Sequence, residues 1–139
     1  MPVIGLNIKS IEAKKEKDIM GGGVRVKTHT DLKEVKEHHI ANINTRALSI
    51  GFEFKTDYVS EEGKKELAKI TINGEVLFVD EKYKEIIEKW KKDKALPEEV
   101  SIQVLNALLD KCSKKALALS DDLQIPSPIM LPFARKKEE

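Results

Sequence analysis

Several features that are common in secreted, membrane and redox proteins are scarce in this sequence. Its 139 residues contain a single cysteine, Cys112, which excludes an internal disulfide and suits a reducing compartment. No apolar run approaches the roughly 20 residues that span a bilayer. The amino terminus also lacks the basic start and continuous apolar stretch of a signal peptide. We therefore expect a cytoplasmic protein that does not insert into a membrane.

An excess of charge of one sign is also missing. Lys and Arg number 25, Asp and Glu number 24, and the net charge of +1 gives no case for non-specific binding to nucleic acid or membrane. Aromatic residues make up only 5% of the chain, fewer than stacking on bases requires. Gln occurs only at Gln103 and Gln124, while Lys and Glu dominate the charged set. This bias is typical of proteins from hot habitats and indicates a thermophile.

No residues have the spacing of a catalytic, metal or cofactor site. His38 and His39 are adjacent, so their side chains diverge, and no further ligand follows at metal-binding spacing. The glycines at 21–23 precede a strand-like segment and lack the Lys and Ser or Thr of a phosphate loop. Cys112 falls on an apolar helical stripe, where a small buried side chain is expected. The sequence predicts a protein that is not an enzyme and holds no metal or cofactor.

Alternating apolar residues predict an antiparallel sheet in the first part of the chain. The alternation from Val3 to Ala13 changes parity once, which indicates a bulge near Lys9 or Ser10. Residues 40–58 carry the longest alternating pattern.

Two further segments complete the predicted sheet. Residues 66–80 keep one parity across Gly74, which predicts a single continuous strand. Between the first two patterns only residues 24–26 are strand-like. The almost wholly charged residues 31–39 are expected to be a weakly ordered loop or a short helix.

Two helices are predicted after the strands. An apolar stripe from Tyr83 to Trp90 indicates the first, with Asp80 as its N-cap. Pro97 at the first helical position begins the second, which is expected to reach about Ser113. Its predicted buried side consists of Val100, Val104, Leu105, Leu108, Leu109 and Cys112. Strands followed by helices predict one α+β domain over residues 1–139, with an antiparallel sheet of about four strands and two helices on one face.

The segment IPSPIMLPF, residues 125–133, is an extended apolar carboxyl segment, and residues 134–139 are a charged tail. Pro126, Pro128 and Pro132 forbid a helix and restrict strand pairing. Each large apolar side chain here would gain roughly 1.5 to 3 kcal/mol on burial. We therefore expect the segment to pack against the folded body, sealed in the core, forming one wall of a groove, or making an oligomer contact.

This order of elements resembles the protein-export chaperone family SecB, as an archaeal-type relative. The resemblance is carried by GLNIKSIEA, RALSIGFEFKTDY, KITINGEVLFV, PEEVSIQVLNALLDKC and the close LQIPSPIMLP. The Cys-Pro and Phe-Pro-Tyr-Ala-Arg signature of that family is missing before the long helix, and no metal-binding cysteine tail follows Arg135. The resemblance implies a SecB-like fold and an ATP-independent holdase that forms a dimer or tetramer and binds unfolded or extended polypeptides in apolar grooves. It does not imply coupling to the export motor.

The resemblance and the apolar segment together give six candidate residues for the peptide-binding groove: Trp90, Leu105, Ile125, Ile129, Met130 and Phe133. Two other functions are left open. One is an RNA- or ribosome-associated module that uses the lysines at 89, 91, 92 and 94. The other is an enzyme whose site is assembled from distant residues such as His29, His38 and Asp122.

Overall fold

The fold was examined in a computed structural model, which describes residues 3–16, 23–40, 45–60 and 65–129. Four strands are followed by two helices: β1 (Val3–Lys15), β2 (Val24–Ile40), β3 (Thr45–Ser60), β4 (Glu66–Val79), α1 (Tyr83–Asp93) and α2 (Glu98–Leu123). The strands form one antiparallel sheet in the order β1-β4-β3-β2. The predicted α+β layout is confirmed.

The two central strands supply most of the core. Even-numbered residues of β3 and β4 share one face and are buried beneath the helices, including Phe52, Phe54, Tyr58, Ile70, Ile72, Val76 and Phe78. The prediction that residues 66–80 form one continuous strand is confirmed, and Gly74 explains how β1 packs there. A Cβ added to Gly74 would lie 2.3 Å from the Asn7 carbonyl oxygen. Only glycine permits this approach of the two backbones.

The edge strand β1 contains the predicted bulge. Its register with β4 shifts between Ile8 and Ser10, and a second shift follows Val3. The extra residue at each shift restores the pairing but interrupts the regular edge. Ile4 and Ile11 remain 45% and 42% exposed.

The other edge strand corrects the prediction for residues 31–39, which form neither a loop nor a helix but the second half of β2. A register shift after Leu32 moves the buried positions of β2 from even-numbered to odd-numbered residues. Val35 is therefore buried, whereas an unbroken alternation would bury residue 34. Because of this shift, the second half of β2 does not show a regular apolar alternation in the sequence. The charged residues lie largely on the exposed side of an edge strand, where charge opposes unwanted strand pairing.

Helix α1 packs on β2 and β3 through Ile86 and Trp90, which are both buried. Its N-cap is Lys82 and not the predicted Asp80. The Asp80 carboxylate instead accepts a hydrogen bond of 2.7 Å from the Lys82 backbone N–H, which shapes the turn before the helix. None of the described helices is long and apolar enough to cross a membrane.

Helix α2 packs on β1 and β4 and begins at Glu98, directly after Pro97. It continues to Leu123, well beyond the predicted end near Ser113. No proline or glycine interrupts residues 113–123, and buried contacts continue along them, so the helix extends. Asp121 therefore lies in the last turn of α2.

The apolar carboxyl segment begins at a left-handed residue. Gln124 has a φ of 56°, and the Ile125 N–H donates to the Ser120 carbonyl at 3.0 Å. This turn directs Ile125 into the core, where it is 7% exposed. The Tyr58 hydroxyl then donates a 2.7 Å hydrogen bond to the Pro126 carbonyl, so the segment crosses β3. Its start packs as expected, whereas residues 130–133 lie outside the described residues.

Candidate functional site

Helix α2 carries two parallel rows of side chains. In the first, every fourth residue is buried: Val100, Val104, Leu108, Cys112, Ala116 and Ser120. The second row, one residue further along, comprises Ser101, Leu105, Leu109, Ser113, Leu117 and Asp121. We call these the buried row and the flanking row. Rows with this spacing are the ridges through which helices pack, and they are inclined to the helix axis.

The flanking row leaves leucine side chains uncovered. Leu109 is 42% exposed, while Leu105 and Leu117 are half-buried. The prediction that Leu109 lies on the buried side is wrong, because the side of α2 that packs on the core carries the buried row together with Leu119 and Leu123, and Leu109 lies beyond it. Ile102, one turn before Leu105, is 53% exposed and enlarges the apolar surface.

An open depression adjoins the end of the flanking row. It has a volume of about 510 Å³ and lies between the last turns of α2 and the start of the carboxyl segment. Its lining consists of Leu117, Ala118, Ser120, Ile125 and Ser127, with the exposed charges of Lys114 and Asp121. We call it the terminal depression. From Leu105 to Leu117 the row rises by roughly 18 Å along the helix, at about 1.5 Å per residue.

A second depression is chemically different. It has a volume of about 490 Å³, lies between α1 and the start of α2, and is lined largely by charged residues, among them Lys82, Glu85 and Glu98. Six of its nine lining residues are charged, against two of seven in the terminal depression. The terminal depression is therefore the better candidate for apolar contacts.

The structure places the six predicted groove residues in different settings. Ile125 lines the terminal depression, and Ile129, on the same segment, is 40% exposed. Leu105 belongs to the flanking row. Trp90 is buried on α1, which packs on the opposite half of the sheet from α2. Met130 and Phe133 lie outside the described residues.

Sequence reasoning missed Leu117 and Ala118, which line the terminal depression. They lie in the part of α2 beyond its predicted end near Ser113. Leu105, Leu109 and Leu117 are separated by multiples of four residues, so a helix extended to Leu123 would have aligned them.

The ionisable groups of the core are held neutral. Burial raises the pKa of the Cys112 thiol to about 11 and that of the Tyr58 phenol to about 12. The thiolate is the reactive form of cysteine, so Cys112 is unreactive, and its prediction as a small buried side chain is confirmed. Among the residues that the structure describes, no three His, Cys, Asp or Glu side chains are grouped as a metal ion would need.

One carboxylate on the outer face of the sheet is held in its charged form. The pKa of Glu75 is lowered, first by a hydrogen bond from the Ser49 hydroxyl and then by the nearby Lys9 ammonium. These contacts connect β1, β3 and β4. The cluster stabilises the sheet and lies on its polar face, away from the terminal depression.

Comparison with known proteins shows the fold. No model of a known protein family matches the sequence, and no curated protein is significantly similar to it. Among solved structures, the chain is similar to the SecB-like chaperone Rv1957 of Mycobacterium tuberculosis, determined in complex with a ChAD peptide from the HigA1 antitoxin. The TM-score is 0.63 at 10% sequence identity, over 97% of this chain and 91% of that one. The predicted SecB-like fold is confirmed.

Proposed function

We propose that this protein is an ATP-independent, chaperone-like module that binds unfolded or extended polypeptides. The proposed binding surface consists of the flanking row, the terminal depression and Ile129; Met130 and Phe133, further along the sequence, are additional candidates. Trp90 is not part of it, because its side chain is buried beneath α1. The protein acts in the cytoplasm and assembles as a dimer or tetramer.

One observation carries the proposal: apolar side chains stay uncovered beside a fully sealed row of the same helix. Burying a leucine side chain is worth roughly 1.5 to 3 kcal/mol, so Leu105, Leu109 and Leu117 leave a gain that a client segment can realise. No nucleotide is needed for such contacts. The likeness to a chaperone that was solved with a bound peptide supports the same kind of ligand here.

The dimensions of the surface suit an extended segment. A strand advances about 3.3 Å per residue, so five or six residues cover the distance of roughly 18 Å from Leu105 to Leu117. The far end of this stretch already lies in the terminal depression, which Leu117 lines and where Lys114 and Asp121 provide polar contacts of both signs. We expect clients to bind through their apolar side chains and to leave their polar ones in water.

A paired substitution tests the surface. The variant Leu109→Ser/Leu117→Ser is expected to bind a fluorescent apolar peptide about a hundredfold more weakly, because two leucine contacts are lost. It should also fail to suppress aggregation of a heated model protein at equal concentration without nucleotide. Fluorescence anisotropy and light scattering measure the two effects.

The matched control is Lys111→Ser/Lys115→Ser, which changes two exposed residues of the same helix. It should bind and suppress like the parent protein, and the far-ultraviolet circular dichroism of both variants should be unchanged. Equal activity of the leucine variant, or failure of the parent protein to suppress aggregation, would contradict the proposal.

The proposed oligomer is tested by mass. Exposed Ile4 and Ile11 on the edge strand β1 provide apolar area that assembly can cover. Sedimentation equilibrium should give the mass of two or four chains. The mass of a single chain at the concentration where clients are bound would show that client binding does not require assembly. The binding surface itself would still be tested by Leu109→Ser/Leu117→Ser.

A further inference from the structure

The two edges of the sheet differ in regularity. The register of β1 is interrupted twice within its length. The register of β2 with β3 is unbroken from Val24 to Leu32. In the described part of the chain β2 pairs with β3 alone, so half of the backbone N–H and C=O groups along this stretch point away from the sheet. A regular unpaired edge is a template on which an extended peptide adds a strand.

The first half of β2 presents different side chains on its two faces. Val24 and Val26 face the helices, are half-buried and pack against the core. Arg25, Lys27 and His29 lie on the opposite face and are exposed. No acidic residue occurs between Val24 and Thr30. A strand added here would meet apolar side chains on one face and basic ones on the other.

The basic side chains are available for a partner. Among the ion pairs of the described residues, none involves Arg25 or Lys27. Charge on an edge opposes pairing with like-charged strands, because like charges on adjacent strands repel. An edge guarded by one sign of charge is thus selective for the opposite sign. Beyond Thr30 the signs mix at Asp31 and Lys33, so this selectivity ends there.

A second copy of the chain is a poor occupant of this edge. Laid antiparallel on the same stretch, it would bring the basic side chains of the two copies against each other. An acidic segment has the opposite effect, since each carboxylate would meet a cation across the strands. Charge complementarity therefore favours a different polypeptide.

We propose that the edge formed by Val24–Thr30, the β2 edge, binds an extended segment that alternates apolar and acidic residues. The segment pairs with β2 as a fifth strand. Its apolar residues lie beside Val24 and Val26, and its carboxylates lie beside Arg25, Lys27 and His29. This surface is on the edge strand remote from α2 and is independent of the flanking row.

Synthetic peptides test the β2 edge. A peptide of alternating Glu and Val is expected to bind and to shift the amide resonances of β2, whereas one of alternating Lys and Val is not. Binding should weaken steeply with salt, because the contacts are exposed ion pairs. Arg25→Glu/Lys27→Glu should weaken binding of the Glu peptide at least tenfold and create binding of the Lys peptide.

Two controls separate the outcomes. Lys33→Glu/Lys36→Glu, at and after the register shift on the same strand, should keep the affinity of the parent protein. Leu109→Ser/Leu117→Ser should also keep it, so failure of the proposed client surface and failure of the β2 edge are distinguishable. A peptide methylated on alternate backbone amides leaves the protein unchanged and should not bind. The proposal would be overturned if Arg25→Glu/Lys27→Glu bound the Glu peptide with unaltered affinity, or if the methylated peptide bound as tightly as the unmethylated one. It would also be overturned if the peptide shifted only the amide resonances of α2.

Discussion

The buried and flanking rows of α2 both contain leucine, but the leucines of the two rows differ greatly in solvent exposure. Leu108 is fully buried against the sheet, while Leu109, the next residue, is 42% exposed. The carboxyl segment repeats this contrast, since Ile125 is buried and Ile129 is exposed. Covered apolar residues thus hold the fold together, whereas apolar residues close to them in the sequence remain in contact with water.

The largest expected effect comes from replacing two adjacent leucines of α2, one at a time, by alanine. Leu108→Ala should lower the free energy of unfolding by about 2 to 5 kcal/mol, because it removes buried contacts and leaves a cavity. Leu109→Ala should change it by no more than about 0.5 kcal/mol, since the side chain is largely in water. Urea denaturation of both variants measures the difference. Similar losses would show that the flanking row is covered in solution.

A second test concerns the close packing of β1 against β4 at Gly74, on the face of the sheet that α2 covers. Gly74→Ala places a Cβ 2.3 Å from the Asn7 carbonyl oxygen, so β1 must move away from β4. We expect a loss of about 1 to 3 kcal/mol, the usual cost of overpacking. Hydrogen exchange should accelerate in the β1 amides.

Gly5→Ala is the matched control on the same strand pair. Its Cβ would meet only the Leu77 Cδ1 atom, at 4.0 Å, an ordinary contact. It should leave β1 exchange unchanged. Equal acceleration in both variants would mean that glycine flexibility, and not close approach, explains the result.

The contrast between covered and uncovered residues also explains what the sequence could predict. The alternation in β3 and β4 was readable because one face is sealed and the even-numbered positions carry its apolar residues from Leu48 to Phe54 and from Ala68 to Phe78. The second half of β2 was not readable, because the register shift after Leu32 exchanges the faces and an edge strand tolerates charge. Tertiary pairing with β3 decided the structure there.

The candidate site was predictable only in part. Ile125 and Ile129 stood out because apolar residues follow prolines near the carboxyl end. Which leucines of the flanking row stay exposed depends on how α2 is rotated and inclined on the sheet. An apolar pattern wider than one ridge cannot reveal which leucines stay uncovered, and for this reason Leu109 was misplaced.

A smaller effect is expected where the carboxyl segment meets β3. Tyr58→Phe removes the hydrogen bond to the Pro126 carbonyl and should cost about 1 kcal/mol. Proteolysis near residues 125–129 should become faster, because the segment is held less firmly. Tyr83→Phe on α1 is the control and should alter neither quantity. Unchanged proteolysis of the Tyr58 variant would show that burial of Ile125 suffices to hold the segment.

The same residue predicts a dependence on alkaline pH. Burial raises the pKa of Tyr58 from 10.0 to about 12, so the unfolded chain gives up this proton first. The resulting stability is fully present below about pH 10 and is lost as the pH rises toward 12. The deficit of Tyr58→Phe relative to the parent protein should therefore narrow between about pH 8 and about pH 11. A constant gap in urea midpoints would mean that Tyr58 is hydrated in the folded protein.

The smallest expected effect concerns two buried threonine hydroxyls, one with a hydrogen-bond partner and one without. The Thr71 side chain is 8% exposed, and in the described part of the chain its hydroxyl oxygen is buried without a hydrogen-bond partner. Thr71→Val keeps the shape and removes the unpaired group, so stability should stay equal or rise by up to about 1 kcal/mol. Thr56, also buried, shares a 3.2 Å hydrogen bond with Thr28, so Thr56→Val should be destabilising by about 1 kcal/mol. Changes of opposite sign in the free energy of unfolding, measured by urea denaturation, would show that a buried hydroxyl contributes to stability only when it has a hydrogen-bond partner. A clear loss for Thr71→Val would reveal a partner of its hydroxyl.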